Sequence, residues 1–286
     1  MAYLDVRHVS FGYAHKTPFE VMALKDVSFS VERGECICVI GHTGSGKSTL
    51  MQMLNALLKP ESGEILLDGM NIHQNKKTAC RTRFRVGLCF QYPEYQLFGE
   101  TCEADIGFGP KNMGLSDEEI KKRVDHAADV VGLSSQQLRM SPFDLSGGQK
   151  RRCAIAGVLA MEPEILILDE PTAGLDPLGR KEILSLIRRY RQETNTTVFL
   201  VTHSMEIAQS EADRIMVLDR GSLAMFGTPA EIFKQADRLE TMGLSIPSYA
   251  KVILALQKAG VPVETADSPQ HAADAIAGAL LKGGTG

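Results

Sequence analysis

Apolar and polar positions change rhythm several times along the chain. Residues 3–9 and 23–31 alternate apolar with polar, which predicts two half-buried strands. Cys36-Ile37-Cys38-Val39-Ile40, and the runs 165–168 and 198–201, are unbroken apolar stretches. That is the pattern of strands covered on both faces of a parallel sheet. Ser62-Gly63 and Asp68-Gly69 punctuate two further short strands. The spacing shifts to a helical period over 116–131, 146–161 and 179–193. Ser116 with Glu119 three residues on reads as a capping box. Residues 214–218 and 222–226 predict a hairpin around Asp219-Arg220-Gly221, and Thr228-Pro229 opens another helix. Beyond about 235 the texture breaks into short helical segments separated by Gly243, Pro247, Gly260 and Pro262. Residues 272–286 are rich in Ala and Gly and are expected to be frayed or weakly helical. Buried strands alternating with helices make this an α/β chain.

Composition narrows the function. A length of 286 residues suits one large domain, or one domain with an appendage. Hydrophobic residues at 44% and charged residues at 23% are those of a globular protein. No apolar run approaches the roughly 20 residues needed to cross a bilayer. The first ten residues carry Asp5 and Arg7, so no signal peptide is expected. A net charge of −4 gives no global attraction to nucleic acid, and the chain has no Trp for base stacking. The basic run Lys76, Lys77, Arg81, Arg83, Arg85 reads as a solvated face. The six cysteines lack paired metal spacing and are expected to be reduced thiols.

The sharpest chemical signal is Gly41-His42-Thr43-Gly44-Ser45-Gly46-Lys47-Ser48, followed by Thr49. It fits the phosphate-binding P-loop pattern G-x-x-x-x-G-K-[ST], with a buried strand before it and a helix after it. The glycines let backbone N–H groups converge on a phosphate, and the helix N-terminus adds positive potential. Lys47 would bridge the β- and γ-phosphates of a nucleotide, and Ser48 would bind Mg²⁺. Asp169 and Glu170 emerge at the tip of the 165–168 strand, where ligands sit in open α/β sheets. Asp169 suits the metal and Glu170 suits activation of a water.

Leu145-Ser146-Gly147-Gly148-Gln149, together with this P-loop, resembles the signature motif of the ABC (ATP-binding cassette) ATPases. Further motifs occur in the family's order. Gln91 resembles the Q-loop residue, Asp176 the D-loop aspartate, His203 the switch histidine and Tyr13 the adenine-stacking aromatic. The resemblance implies a cassette with a RecA-like core, an antiparallel β subdomain and a helical signature subdomain. It implies ATP and Mg²⁺, with Ser48, Gln91 and Asp169 around the metal and Glu170, His203 and Gln91 around the reacting water. Ser146, Gly147, Gly148, Gln149 and Asp176 would reach the ATP of a second cassette in a head-to-tail dimer. Each also has a plainer reading from the residues alone. His203 suits a structural role, Tyr13 an ordinary surface tyrosine, and Ser146 and Asp176 helix caps. Arg151 and Arg152 face either nucleotide or partner, or are simply exposed.

The stretch Phe90-Gln91-Tyr92-Pro93-Glu94-Tyr95-Gln96-Leu97-Phe98 resembles the energy-coupling factor (ECF) transporter ATPases, as does Gln149-Lys150-Arg151-Arg152. Thr17-Pro18-Phe19-Glu20 resembles an insertion of the second (A-prime) ATPase type. Cys153 departs from the β-branched residue common in relatives. The expected organisation is a nucleotide-binding domain over 1–235, its helical subdomain at about 92–160, and a dimerising helical extension over 236–286. Tyr95, Leu97 and Phe98 are expected to be exposed and, with Pro93 and Gln96, to meet a membrane partner. The resemblance implies an importer of vitamins or transition-metal ions. Its partners would be a second ATPase, a transmembrane T component and a substrate-binding S component, with no nucleic acid, and the chain would sit peripherally at the cytoplasmic face of the cell membrane. ABC ATPases of other transporters, or of DNA repair and translation, are the alternatives.

Overall fold

The computed structural model describes residues 2–14, 19, 21–264, 266 and 269–283. Among the described residues, ten strands form two sheets. They are β1 (Leu4–Tyr13), β2 (Val21–Val31), β3 (Cys36–Ile40), β4 (Ser62–Leu67), β5 (Met70–Asn71), β6 (Val86–Cys89), β7 (Ile165–Asp169), β8 (Thr197–Val201), β9 (Arg214–Asp219) and β10 (Ser222–Gly227). The antiparallel sheet runs β2-β1-β4-β5, and the larger sheet runs β10-β9-β3-β8-β7-β6. All neighbours in the larger sheet are parallel except the edge hairpin β9–β10. The three apolar runs of the sequence are β3, β8 and β7, buried on both faces as their composition requires.

The pleat of β3 divides the core. Ile37 and Val39 point into a cluster shared with Leu4, Val6, Leu24 and Ile65 of the antiparallel sheet. Cys36, Cys38 and Ile40 point into a second cluster, which extends to Val124, Val131, Ile155 and Leu159 of the helical region. That region holds helices Asp117–Val131 and Gly147–Leu159, with shorter ones at Cys102–Ile106, Phe108–Asn112 and Ser135–Leu138.

Several local expectations change. Both N-terminal strands are longer than the alternation indicated, because register shifts at Val6, Val9 and Phe11 interrupt it. Ser116 Oγ accepts from Glu119 N at 3.3 Å, but the Glu119 carboxylate turns to Arg123 Nε, also at 3.3 Å, so the cap is one-sided. The basic run lies on helix Lys76–Arg85, where Lys76, Lys77, Arg81 and Arg83 are exposed as expected and Arg85 is half-buried. Arg83 donates to the Ala56 carbonyl and Arg85 to Glu164. Five cysteines are buried and Cys80 is exposed. Of the segment 17–20 only Phe19 lies within the described residues, so the insertion reading falls outside them.

The tail is more regular than its composition suggested, with helices Ala236–Thr241, Ser248–Lys258 and Pro269–Gly283. Leu239, Leu244 and Ile246 belong to the main core, whereas Ile253, Val263, Ala272 and Ala279 form a small separate cluster. The main core therefore continues past 236, and Ala250 and Leu254 still pack against it.

Candidate functional site

Strand register places the chemistry on one edge. Cys89 pairs with Leu168, Leu168 with Leu200, and Val39 with Val201, so β6, β7, β8 and β3 end level. The residues just past these ends are Gln91, Glu170, His203 and the 41–48 loop. Sequence segments far apart thus converge because parallel strands share one carboxyl edge.

The loop is held from several sides. A Cβ on Gly41 would lie 2.3 Å from the Leu218 carbonyl oxygen, so that position requires glycine. Gly46 has φ 102°, and a Cβ there would lie 2.6 Å from the Ala23 carbonyl oxygen. It caps helix Lys47–Leu54 without any side-chain bond. His42 Nε2 lies 3.1 Å from Asp219 Oδ1, which ties the loop to the end of β9. The Lys47 ammonium donates to the carbonyls of Gly41 (2.7 Å) and His42 (3.0 Å). Burial lowers its pKa, against the raising pull of Glu170 and Asp169. The Tyr13 hydroxyl lies 3.0 Å from Thr49 Oγ1, and its half-exposed ring packs edge-on against Phe11.

Ser48 Oγ donates to Asp169 Oδ2 at 3.0 Å. Burial raises the Asp169 pKa, against the Ser48 bond and the charges of Lys47 and His203. Burial and then the Asp169 charge push Glu170 up to about 7, although Lys47 opposes. Glu170 has φ 52°, a left-handed conformation rare for a residue with a side chain. His203 Nε2 lies 3.1 Å from Glu170 Oε1, yet that oxygen has no aligned hydrogen-bond donor. The two are close without being a well-formed pair. Burial, then Lys47, lowers the His203 pKa, with Asp169 opposing, which favours the neutral ring.

The 145–149 segment lies outside this cluster. Ser146 caps helix Gly147–Leu159, its hydroxyl accepting from Gln149 N while Gln149 Oε1 accepts from Ser146 N. Ser146, Gly147 and Gly148 are exposed, and Cβ atoms on the two glycines would meet nothing within 4 Å. Asp176 is also exposed, and its carboxylate caps helix Pro177–Thr194 through Gly179 N at 2.7 Å. The capping reading of both residues is present in the single chain.

The exposure expected of Tyr95 and Phe98 is present, but that expected of Leu97 and of Arg151 is overturned. Tyr95, Gln96 and Phe98 are exposed, but Leu97 and Pro93 are buried. Leu97 faces inward because the short 3-10 turn Pro93–Gln96 rolls it onto the helical core. Arg151 is 3% exposed, not a surface residue. It pairs with Glu94, 57 positions away, through two bonds of 3.1 and 2.7 Å. No spacing pattern signals that contact. The Ser146–Gln149 box, by contrast, was readable as S-x-x-Q.

The loops on the shared edge and the open 145–149 segment together define an ABC-type ATPase cassette, and the comparisons agree. The family described as ABC transporter matches residues 24–173. The chain is 52% identical, over 91% of each chain, to the energy-coupling factor transporter ATP-binding protein EcfA2 of Caldanaerobacter subterraneus. Among solved structures it resembles cbiO1 of Clostridium perfringens, described as part of the ABC transporter complex cbiONQ. That match is 38% identical, covers 88% of this chain and 99% of that one, and has a TM-score of 0.75. It also resembles the cassette MJ0796, solved as a dimer bound to ADP and Pi. There the identity is 28%, the coverage 79% and 98%, and the TM-score 0.71. The chain belongs to the ABC transporter family, among the ATP-binding proteins of energy-coupling factor transporters.

Proposed function

We propose that this chain is the ATP-hydrolysing subunit of an ECF-type importer of vitamins or transition-metal ions, working as one half of a head-to-tail ATPase dimer. The observation that carries the reading is the Ser48–Asp169 contact of 3.0 Å with Glu170 beside it, its carboxyl pushed up to about 7. In this reading the loop N–H groups and Lys47 bind the phosphates, and the Tyr13 ring carries the adenine. Ser48 Oγ and Asp169 Oδ2 are hard oxygen donors of the kind Mg²⁺ takes, and Gln91 stands at the neighbouring strand end. A Mg²⁺ held there would offset phosphate charge. Glu170 takes the proton of the attacking water, its raised pKa matching it to work near neutral pH. His203, its neutral ring favoured by burial and 3.1 Å from Glu170, orients that water or a phosphate oxygen.

Ser146, Gly147 and Gly148 then close over the ATP of the second ATPase subunit, with Asp176 at the same interface. ATP is the ligand that favours the closed pair, and hydrolysis releases it. Among the described residues no helix is long and apolar enough to cross a membrane. The transport path in this reading belongs to a transmembrane T component and a substrate-binding S component, with this chain peripheral at the cytoplasmic face. A groove of about 460 Å³, lined by Phe84, Leu88, Phe90, Pro93, Leu97 and Phe98, suits the apolar face of a partner helix. Pro93 and Leu97 contribute as its buried wall and Gln96 as an exposed lining residue, with the exposed Tyr95 next to it in sequence.

The test is Glu170→Gln in the assembled complex. Phosphate release should fall about 10²–10⁴-fold while ATP binding persists. Unchanged turnover would remove Glu170 as the base. The partner reading is tested by co-purification from detergent-solubilised membranes, where ribosomes or DNA in place of small membrane proteins would overturn it.

A further inference from the structure

We propose that Arg151 is a positioning residue: its guanidinium couples the 93–96 turn to the loop that follows Glu170, so that the placement of one sets the other. The proposal rests on Glu170 acting as the base. Arg151 leaves the helix that begins at Ser146 and is buried at its tip. Nε and Nη2 donate to the two carboxylate oxygens of Glu94, at 3.1 and 2.7 Å. Nη1 donates to the carbonyls of Pro171 (3.3 Å) and Ala173 (2.5 Å). Those carbonyls lie one and three residues after Glu170, in a turn closed by Ala173 N donating to the Glu170 carbonyl at 3.0 Å. The Tyr92 ring lies 5.9 Å from the guanidinium carbon.

One planar cation therefore joins three pieces of chain: the signature helix, the turn after Gln91 and the turn on Glu170. Holding the larger elements together does not require it. Cys153, Ile155, Ala156 and Leu159 already bury the helix, and β7 is buried along its length. What Arg151 adds is a direct link between the two turns, each anchored on its own side by buried residues, Pro93 and Leu97 in one and Pro171 and Thr172 in the other. The link depends on the fork of donors rather than on charge alone, because a lysine offers a single point charge with no planar pair of N–H groups. If a membrane partner moves the 93–98 segment, this link carries the displacement to the backbone of Glu170. The two-residue register between Pro171 and Ala173 makes that backbone follow as one turn.

The test uses the complex of this chain with its second ATPase and membrane subunits, purified in detergent. Arg151→Lys, Glu94→Gln and the double variant are compared, with Glu170→Gln as control. Each single variant should lose about tenfold in kcat, with KM and the Kd for a fluorescent ATP analogue unchanged within about twofold. The double variant should be no slower than the slower single, because both break one link. Three results would overturn the proposal: kcat within about twofold of the unmodified chain in both singles, losses that multiply in the double, or a change confined to KM. Failure of both singles to assemble would also overturn it, since the pair would then serve stability alone. If Arg151→Lys alone fails to assemble, Glu94→Gln decides. The Glu170→Gln control separates the two claims. Retained turnover there sinks the base assignment, whereas lost turnover beside an active Arg151→Lys sinks only the coupling.

Discussion

Two glycine-rich helix starts occur in this chain, proposed above to meet phosphate, and they are built in different ways. The 41–48 loop is knitted into its surroundings through Lys47 to two loop carbonyls, His42 to Asp219, and Ser48 to Asp169. The 145–149 segment is self-contained. Ser146 and Gln149 satisfy each other, and the glycines face open space. Both start helices, so both offer N–H groups and positive potential to an anion. The first has carboxylates beside it for chemistry, while the second has only its own cap. An element whose glycines face open space, although Leu145 anchors it in the core, is suited to a ligand brought by another molecule. The contrast is the structural argument for a dimer in which each nucleotide is held by one half and covered by the other.

The largest effect expected from this contrast is at Gly148. A Cβ there meets nothing within 4 Å, so Gly148→Asp should leave the folded chain within about 0.5 kcal/mol of its original stability. It should leave ATP affinity of the isolated chain unchanged. In the dimer, however, a carboxylate in place of open space blocks contact with a phosphate, and turnover should fall about 10²–10³-fold. Equilibrium ATP binding to the isolated chain and phosphate release by the complex check the two halves. A fall in ATP affinity of the isolated chain would mean the segment acts within its own chain, and the comparison would break.

The complete half-site also carries a pH-dependent cost that the open one lacks. The folded Glu170 carboxyl titrates near 7 against about 4.5 when unfolded, because burial and Asp169 disfavour its charge. A group whose folded pKa is raised stabilises fully below its unfolded value, and that stability is lost as pH rises through the folded value. Stability of the nucleotide-free, metal-free chain should therefore decline between about pH 4.5 and 7, by about 3 kcal/mol. Glu170→Gln removes the charge and should flatten this limb, leaving the variant more stable at pH 8. Urea unfolding from pH 5 to 8 measures it. Parallel curves for the two proteins would show that the carboxyl is ionised at no cost.

How much of this was legible before the structure depends on the range of the interactions. Local chemistry was readable: the apolar runs gave β3, β7 and β8, and the glycine spacing gave the phosphate loop. These signals come from burial and backbone geometry, which leave periodic or fixed-spacing marks. Long-range pairing leaves no such mark. Nothing in the order of residues says that Glu94 and Arg151 meet, or that Asp219 holds His42. The burial of Leu97 was hidden for a related reason. An apolar residue beside Tyr95 and Phe98 looks like part of one patch until a 3-10 turn points it inward. In the tail, composition left fraying and weak helix both open, and helix Pro269–Gly283 packs Ala272 and Ala279 into a cluster of its own, a contact that Ala and Gly content does not signal.

Lys47 gives the smallest effect and the sharpest test of the contrast. The residue is buried, and its ammonium donates to the Gly41 and His42 carbonyls, groups of the loop that would hold the phosphates. A hydrogen bond to a charged group contributes about 1.5–3 kcal/mol, so Lys47→Ala should weaken ATP binding about 10–100-fold. Its charge also lowers the pKa values of Asp169 and Glu170, so the variant should raise both further and carry the stability decline to higher pH. Titration of the isolated chain with a fluorescent ATP analogue reads the first consequence, and pH-dependent unfolding reads the second. Gly148→Asp should change neither. If both variants weaken binding to the isolated chain alike, the two phosphate elements act together on one nucleotide. If only Lys47→Ala does, each chain supplies the full grip on its own nucleotide, and the open Ser146 segment is left for the partner's.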